Sequence, residues 1–534
     1  MRPPANESDA ASRARGIGVV VMAAGMGTRM KSGRAKVLHH VAGRPMILYA
    51  VDLALQVAGN RIAVVVGHQA EDVRRVIEEG IAGQKGAESV VIVKQAEQLG
   101  TGHAVIQSRP VFAGGKGARP SDYVIVNGDT PLLTERTVRE LLRAHRSEGS
   151  AVTMLTATLD DPAGYGRVIR RKSGGERRGG QASPDVLKIV EDRDATAVER
   201  SIKEINVGTY VVSGDFLFPA LEKLEPHNAQ GEYYLTDIVG MAVAQGRRVG
   251  AVVLEDSEEG MGVNTRRQLA TAEQVVRQQV RERWLDAGVT MVDPDSVWID
   301  AGVSLGKDTV LYPNVTLEGK TEIGKECVLR SYSRLTDCCL GDRVEVLDHC
   351  VLRESRVEDD VVLGPFAHLR PGVLVRRKAK VGNFVEMKKT ELGEEAKASH
   401  LSYLGDATIG RGVNIGAGTI TCNYDGVHKY PTTIGDHVFV GSDTQLVAPV
   451  TVGAGAVIAA GTTVTRDVPA DALAISRAAQ EIRDGWAAKR RMVMAGSRHG
   501  GEAQTETRPA SLKAGKDTSA ARRRNTRPAG KRSR

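Results

Sequence analysis

Aliphatic–glycine pairs recur through the second half of the chain: Ile323-Gly324, Leu363-Gly364, Val381-Gly382, Ile409-Gly410, Ile415-Gly416, Ile434-Gly435, Val440-Gly441 and Val452-Gly453, several of them separated by six. A hexapeptide period specifies a parallel β-helix, because a single repeat cannot bury its apolar face alone and must stack on its neighbours. Each coil is a triangle. The aliphatic residue fills the axis, and glycine at the corner permits a tight turn that a larger side chain would obstruct. Between Val381 and Asp406 this monotony is broken by Lys388, Lys389, His400 and Tyr403, which marks the place where the scaffold carries chemistry.

A chain of 534 residues is too long for one core, and the composition shifts along it predict two large domains with tails. Apolar residues make up 41% and aromatic residues only 4%, so the cores are built from Val, Ile, Leu and Ala. The formal charge of +8 suggests a nucleic-acid partner until it is located. Residues 487–534 carry fourteen Lys/Arg against three Asp/Glu, which leaves the rest of the chain mildly acidic. This tail is too poor in apolar residues to fold and reads as disordered, with weak binding to anionic polymers as its one alternative to plain solvation. Five cysteines without C-x-x-C spacing indicate neither a zinc site nor a disulfide framework. The first fifteen residues hold no apolar signal core, and no apolar run approaches the ~20 residues of a membrane span, so the expected setting is the cytoplasm.

From Gly18 onward apolar runs alternate with amphipathic stretches. Gly18 to Met22, Ile62 to Val66, Val90 to Val93 and Tyr123 to Val126 read as strands buried on both faces, while Pro45 to Val57 and Glu71 to Glu79 have helical spacing. This alternation predicts a Rossmann-like, doubly wound α/β domain with its site at the strand C-termini. Further strands fit 151–157, 167–170, 186–190 and 209–212, with a Gly/Arg/Ser-rich hairpin loop over 171–184. Leu269, Ala272, Val276, Val280 and Trp284 share one helical face, and Gly288 stops that helix. The boundaries that follow are an extension at 1–15, the α/β domain at 16–265, a linker helix at 266–288, the β-helix at 289–486 and the tail at 487–534.

The turn Ala23-Ala24-Gly25-Met26-Gly27-Thr28-Arg29 places consecutive backbone amides where phosphates can sit. It is neither the dinucleotide fingerprint nor Walker A, because the third glycine of the first and the G-K-[ST] of the second are missing. Nucleotidyl transfer needs alignment and charge neutralisation more than covalent help. Arg29 and Lys36 can hold a triphosphate, and Asp129 at a strand end can hold Mg²⁺, though such an aspartate also serves as a turn former or helix cap.

Four further motifs join this turn: Gln95 to Ala104, Gly128 to Leu132, Gly164 to Arg167 and Asn228 to Asp237. Together they resemble the uridylyltransferase half of the bifunctional bacterial N-acetylglucosamine-1-phosphate uridylyltransferases and glucosamine-1-phosphate acetyltransferases, over about Gly16 to Arg477. The resemblance implies that Ala23, Ala24, Gly25, Lys36, Gln95, Gly100 and Thr101 bind UTP and that Asp129 and Asn264 ligate Mg²⁺. It also implies that Gly166, Glu191 and Asn206, bordered by Asn264, contact the sugar phosphate. Two departures stand out: Asn127 replaces a frequent aromatic, and Ala35 replaces a proline.

The same resemblance extends through R-P-G (370–372), G-N-F-V-E-M-K-K (382–389), S-H-L-S-Y-L-G-D (399–406) and N-I-G-A-G-T-I-T-C-N-Y-D-G (414–426). It implies a left-handed coil and acetyl transfer from acetyl-CoA to glucosamine 1-phosphate, with His400 as general base. Arg370, Lys388, Tyr403 and Asn414, bordered by Lys389, would hold the acceptor. Ala417, Asn423, Tyr424, Ser442, Ala460 and Arg477 would line a coenzyme groove lying between subunits of a homotrimer. Cys422 offers a rival route through an acetyl-cysteine. A second alternative is a single-activity sugar-1-phosphate nucleotidyltransferase whose β-helix is structural or regulatory.

Overall fold

The computed structural model describes residues 16–58, 61–113, 119–171 and 186–499. The expected extension at 1–15, the 171–184 loop beyond Arg171 and the tail after His499 lie outside the described residues. By contact, the chain divides into one unit ending at Ser476 and a second beginning at Arg477.

The α/β domain is built on strands β1 (Ile17–Ala23), β2 (Arg61–Val66), β3 (Val90–Lys94), β4 (Asp122–Asn127), β5 (Val152–Thr158), β6 (Arg167–Arg170), β7 (Val186–Val190), β8 (Glu204–Ser213) and β9 (Val249–Val253). The main sheet runs β9-β5-β8-β4-β1-β2-β3, and a β6–β7 hairpin attaches to β8. β1 is parallel to both β2 and β4, so the chain order reverses about β1 and opens a crevice at the carboxyl ends of β1 and β4. The sheet is mixed, because β8 runs antiparallel to β4 and β5. β1, β2 and β4 are buried as anticipated for covered parallel strands. β3 is not: it is the edge strand, and Val91 is exposed. An apolar run of four residues cannot by itself distinguish a covered strand from an edge. Helices α1 (Met46–Val57) and α2 (Ala70–Ile81) lie where their spacing predicts.

The linker helix α3 (Arg266–Asp286) opens with a capping box: the Thr265 hydroxyl accepts from the Gln268 amide, and the Gln268 side chain accepts from the Thr265 amide. Ala272, Val276 and Val280 turn inward and join the apolar core of the first coils. The helix thus covers the end of the β-helix. At the same joint, Ala42 donates its N–H to Glu273 Oε2 (2.6 Å) and accepts from Ala301 N–H (2.8 Å).

From Thr290 the chain winds into three parallel sheets of two- to four-residue strands. Val310 pairs with Val328, one full coil of eighteen residues later. The aliphatic member of every repeat pair points inward; Ile323, Leu363, Val381, Ile409, Ile415, Ile434, Val440 and Val452 are all buried. Glycine is required by coil stacking: a Cβ on Gly324 would lie 2.4 Å from Gly341 O, and one on Gly441 would lie 2.5 Å from Ala460 N. One step is longer than the rest. Asn414 pairs with Phe439, twenty-five residues on, because residues 423–431 leave the coil as a loop closed by a Tyr424–Lys429 bridge.

In the second unit, helix α4 (Trp486–His499) stands where the composition predicts disorder from residue 487. The run Trp486–Met494 contains neither Gly nor Pro and is rich in Ala, Lys, Arg and Met, so local propensity favours helix despite the charge.

Candidate active sites

The carboxyl ends of β1 and β4 open onto a cavity of about 430 Å³ lined by Ala23, Ala24, Gly25, Lys36, Gln95, Gly100, Thr101, Asn127 and Asp129, together with Gln98 and Glu232. The structure therefore brings together every residue that the resemblance assigns to the nucleotide. Gly27 lets the turn close on Lys36: a Cβ there would lie 2.5 Å from Lys36 Cβ, and its φ of 66° suits glycine. Lys36 Nζ donates to Asp129 Oδ2 and, at 2.9 Å, to Asn264 Oδ1. Asn264 reaches this point because Val263 N–H donates to Asp129 O (2.8 Å) and because Gln268, the N3 residue of α3, accepts from Asn264 N–H (2.9 Å).

Two oxygens converging on one ammonium also form a fragment of a hard-cation site. Mg²⁺ characteristically takes one or two protein oxygens and completes its shell with phosphates and water, so Asp129 and Asn264 fit that donor set.

Gln95 is buried, with Nε2 donating to Gly100 O (3.2 Å). Gly100 has φ 110°, and a Cβ there would strike Tyr233 O at 2.7 Å. The Thr101 hydroxyl already accepts from Leu235 N–H (2.9 Å), so it anchors the 232–235 segment from beneath. Sequence reasoning missed Gln98, whose Nε2 donates to Ala24 O (2.9 Å), because an exposed-looking glutamine in a loop carries no pattern.

The residues that the resemblance assigns to the sugar connect to the cavity through Asn127, whose Nδ2 donates to Gly208 O (3.4 Å), while Gly208 N–H donates to Asn206 Oδ1 (3.1 Å). Asn206 N–H donates to Gly166 O (2.8 Å), and its amide donates to the Tyr210 hydroxyl (2.6 Å). A Cβ on Gly166 would sit 3.0 Å from Ile189 Cγ2 and 3.4 Å from Glu191 Oε2, so the glycine lets the Glu191 segment pack close. Burial holds the Glu191 carboxyl above the ordinary range; the Thr236 hydroxyl opposes this, and Asp194, Asp237 and Asp192 reinforce it.

On the β-helix, His400 ends strand Lys397–His400 with its side chain exposed, not sealed inside the coil. Asn414 lies one coil further along on the same face, paired with Lys397. Beyond the corner at Leu401, Tyr403 pairs in register with Glu386, and Glu386 Oε1 accepts from Arg370 (2.8 Å). Lys388 is pushed below the ordinary lysine value by the adjacent Lys429 ammonium and then by Arg370, while Asp406 opposes the shift. Lys388, Lys429 and Arg370 therefore lie within electrostatic reach of one another. Lys429 was not predicted, because it arrives on the inserted loop and has no repeat position to betray it.

Asn423 is buried, and its Nδ2 donates to Asp406 Oδ2 (2.5 Å), which fixes the root of that loop beneath Tyr403. Ala417 and Ser442 mark successive coils of one corner, since Ala417 O accepts from Asp443 N–H (2.7 Å) and Ser442 O accepts from Gly461 N–H (2.8 Å). Ala460 continues that column, and Tyr424 stands exposed on the loop. Arg477 opens the second unit. Burial pushes the Cys422 thiol up, which keeps it protonated and a poor nucleophile.

A phosphate-accepting crevice on a mixed α/β sheet and a cation cluster on a hexapeptide coil define a two-site transferase, one site for nucleotidyl and one for acyl chemistry. Family descriptions agree: residues 19–234 match the MobA-like NTP transferase domain and residues 431–466 the bacterial transferase hexapeptide (six repeats). The chain is 50% identical to the bifunctional protein GlmU of Pelobacter propionicus over 470 residues, covering 88% of this chain and 98% of the relative. It is 50% identical to that of Trichlorobacter lovleyi over 473 residues (88% and 98%) and 46% identical to that of Geobacter sulfurreducens over 492 residues (89% and 99%). The chain belongs to the bifunctional GlmU family, and its second domain is the left-handed parallel β-helix of hexapeptide transferases.

Proposed function

We propose that the chain makes UDP-N-acetylglucosamine in two steps, one on each domain. In the first, the amine of glucosamine 1-phosphate attacks the thioester carbonyl of acetyl-CoA, His400 takes the amine proton, and the coenzyme thiolate leaves. Arg370, Lys388 and Lys429 face the sugar phosphate. The mutual repulsion of these cations is relieved when an anion binds among them. Tyr403 and Asn414 hydrogen-bond the sugar, while Ala417, Ser442 and Ala460, with Asn423 and Tyr424, border the coenzyme. The raised Cys422 thiol favours direct transfer over an acetyl-cysteine, and ping-pong kinetics would overturn that choice.

In the second step, a phosphate oxygen of N-acetylglucosamine 1-phosphate attacks the α-phosphorus of UTP and pyrophosphate leaves. The amides of Ala23 to Gly25 and the Lys36 ammonium align the triphosphate, and Gly166, Glu191 and Asn206 hold the sugar. Asp129 and Asn264 would hold Mg²⁺, which would supply charge neutralisation at the phosphate oxygens.

The observation that carries this reading is the presence of two differently equipped sets of residues: Lys36 with Asp129 and Asn264 in one cavity, and Lys388, Lys429 and Arg370 within electrostatic reach of one another on the β-helix that also exposes His400. A β-helix serving only as scaffold has no use for the second. A homotrimer is supported by an exposed corner column in which Tyr332, His349, Phe366 and Phe384 stack ring on ring (5.0, 4.9 and 5.1 Å), ending one coil short of Leu401, beside His400. Such a strip is what a second copy covers. No helix among the described residues is long and apolar enough to cross a membrane, and five free cysteines suit the reducing cytoplasm.

The test supplies glucosamine 1-phosphate, acetyl-CoA, UTP and Mg²⁺ and identifies products with each withheld in turn. His400→Ala abolishes acetyl transfer alone and Asp129→Ala uridylyl transfer alone. Loss of both activities in either variant refutes independent sites.

A further inference from the structure

We propose that Gln69 is a positioning residue for Lys36, acting through a two-point clamp on the loop that delivers it; the inference rests on the reading of Lys36 as a triphosphate ligand. The Lys36 ammonium meets Asp129 and Asn264, but its backbone hangs on an irregular segment between two short 3-10 turns, Thr28–Met30 and Lys36–Leu38. Gln69 spans that segment from outside: Oε1 accepts from Ala35 N–H at 2.6 Å, and Nε2 donates to Gly33 O at 2.7 Å. Both ends of the amide are thereby committed to the two residues that set the entry angle of Lys36.

Gln69 is a firm point from which to do this. It sits at the N-terminal end of α2, with φ 52° and its carbonyl accepting from Val73 N–H (3.1 Å), three residues after β2 ends. The neighbouring Gly67 packs so closely on the phosphate turn that a Cβ there would lie 2.6 Å from Ala24 O. The clamp therefore joins the sheet, α2, the phosphate turn and the lysine loop in one rigid bracket. Ala35 itself has φ −53°, which a proline ring enforces without help, and ψ 136°, which proline also adopts. In this chain the same backbone geometry is held by a hydrogen bond, which only a residue with an N–H can make.

Four proteins test this: wild type, Gln69→Ala, Ala35→Pro and the double variant, each assayed for uridylyl transfer with UTP and N-acetylglucosamine 1-phosphate varied separately. KM for N-acetylglucosamine 1-phosphate, bound on the same domain, reports folding of that domain, and acetyl transfer reports that the β-helix is intact. Gln69→Ala lowers kcat/KM for UTP about five-fold, the kinetic equivalent of one net hydrogen bond, and leaves KM for the sugar phosphate and acetyl transfer unchanged. Ala35→Pro alone is at least as harmful, because it removes the N–H and drives the ring against Gln69 Oε1. The double variant, in which proline replaces the clamp, returns to within about two-fold of wild type. Unchanged UTP kinetics in Gln69→Ala, or a double variant worse than both singles, overturns the proposal. Absence of uridylyl transfer in the wild type refutes the nucleotide-site reading and the inference with it.

Discussion

Arg277→Met probes the joint between the linker helix and the first coil. Arg277 is 4% exposed, and its guanidinium donates to Glu273 Oε1 (2.7 Å), Ile299 O (2.8 Å) and Asp300 Oδ1 (2.9 Å) while lying 3.7 Å from the Trp298 ring centroid. Methionine keeps most of the apolar stem and removes the charge. Glu273 then retains the Ala42 N–H and can turn toward water, whereas Asp300, 7% exposed, keeps only the Gly319 N–H at 3.0 Å. The loss is therefore set by one stranded buried carboxylate, about 3–5 kcal/mol for breaking such a pair. Asp300→Asn added to Arg277→Met removes that charge and recovers about 2 kcal/mol. Urea unfolding followed by tryptophan emission reads the joint directly through Trp298. Uridylyl transfer falls more than acetyl transfer, because Ala42 belongs to the hairpin that follows Lys36 and docks on this cluster. A loss below about 1 kcal/mol, the size of a solvent-exposed pair, or no recovery in the double variant refutes the argument.

Lys429→Met raises KM for glucosamine 1-phosphate about ten-fold without altering uridylyl transfer, since a charge-assisted phosphate contact is lost from one site only; steady-state kinetics of both reactions check it. Glu191 has its carboxyl raised above the ordinary value of 4.5 by burial, so the ionised acceptor is lost and KM for N-acetylglucosamine 1-phosphate rises as pH falls through that raised value. Stability runs the other way: the folded state binds this proton more tightly, so the contribution is full below 4.5 and is lost as pH rises through the raised value. Glu191→Gln flattens both profiles in pH–KM and pH–melting measurements. Gly324→Val forces a Cβ onto Gly341 O at 2.4 Å and destabilises the coil stack by about 3 kcal/mol, measured by denaturant midpoint.

Repetition made the β-helix legible: a six-residue period with inward aliphatics and corner glycines buries its apolar stripe by stacking coil on coil, while the hand of the coil followed from the resemblance and not from the period. Strand–helix alternation and a glycine turn pointed to the crevice at the ends of β1 and β4 for a similar reason, since backbone amides need glycine in order to approach phosphates. Local patterns also predicted the linker helix and its inward face. What tertiary structure decided is the company each residue keeps. Nothing near Lys429 in the chain indicates that an insertion swings it beside Lys388, and nothing near Gln69 indicates that it clamps Ala35, thirty-four residues away. Edge or centre for β3, and the burial of Arg277 between two domains, likewise depend on neighbours remote in sequence. Periodicity records which face of an element turns inward; it does not record which other element that face, or a single polar side chain on it, will meet.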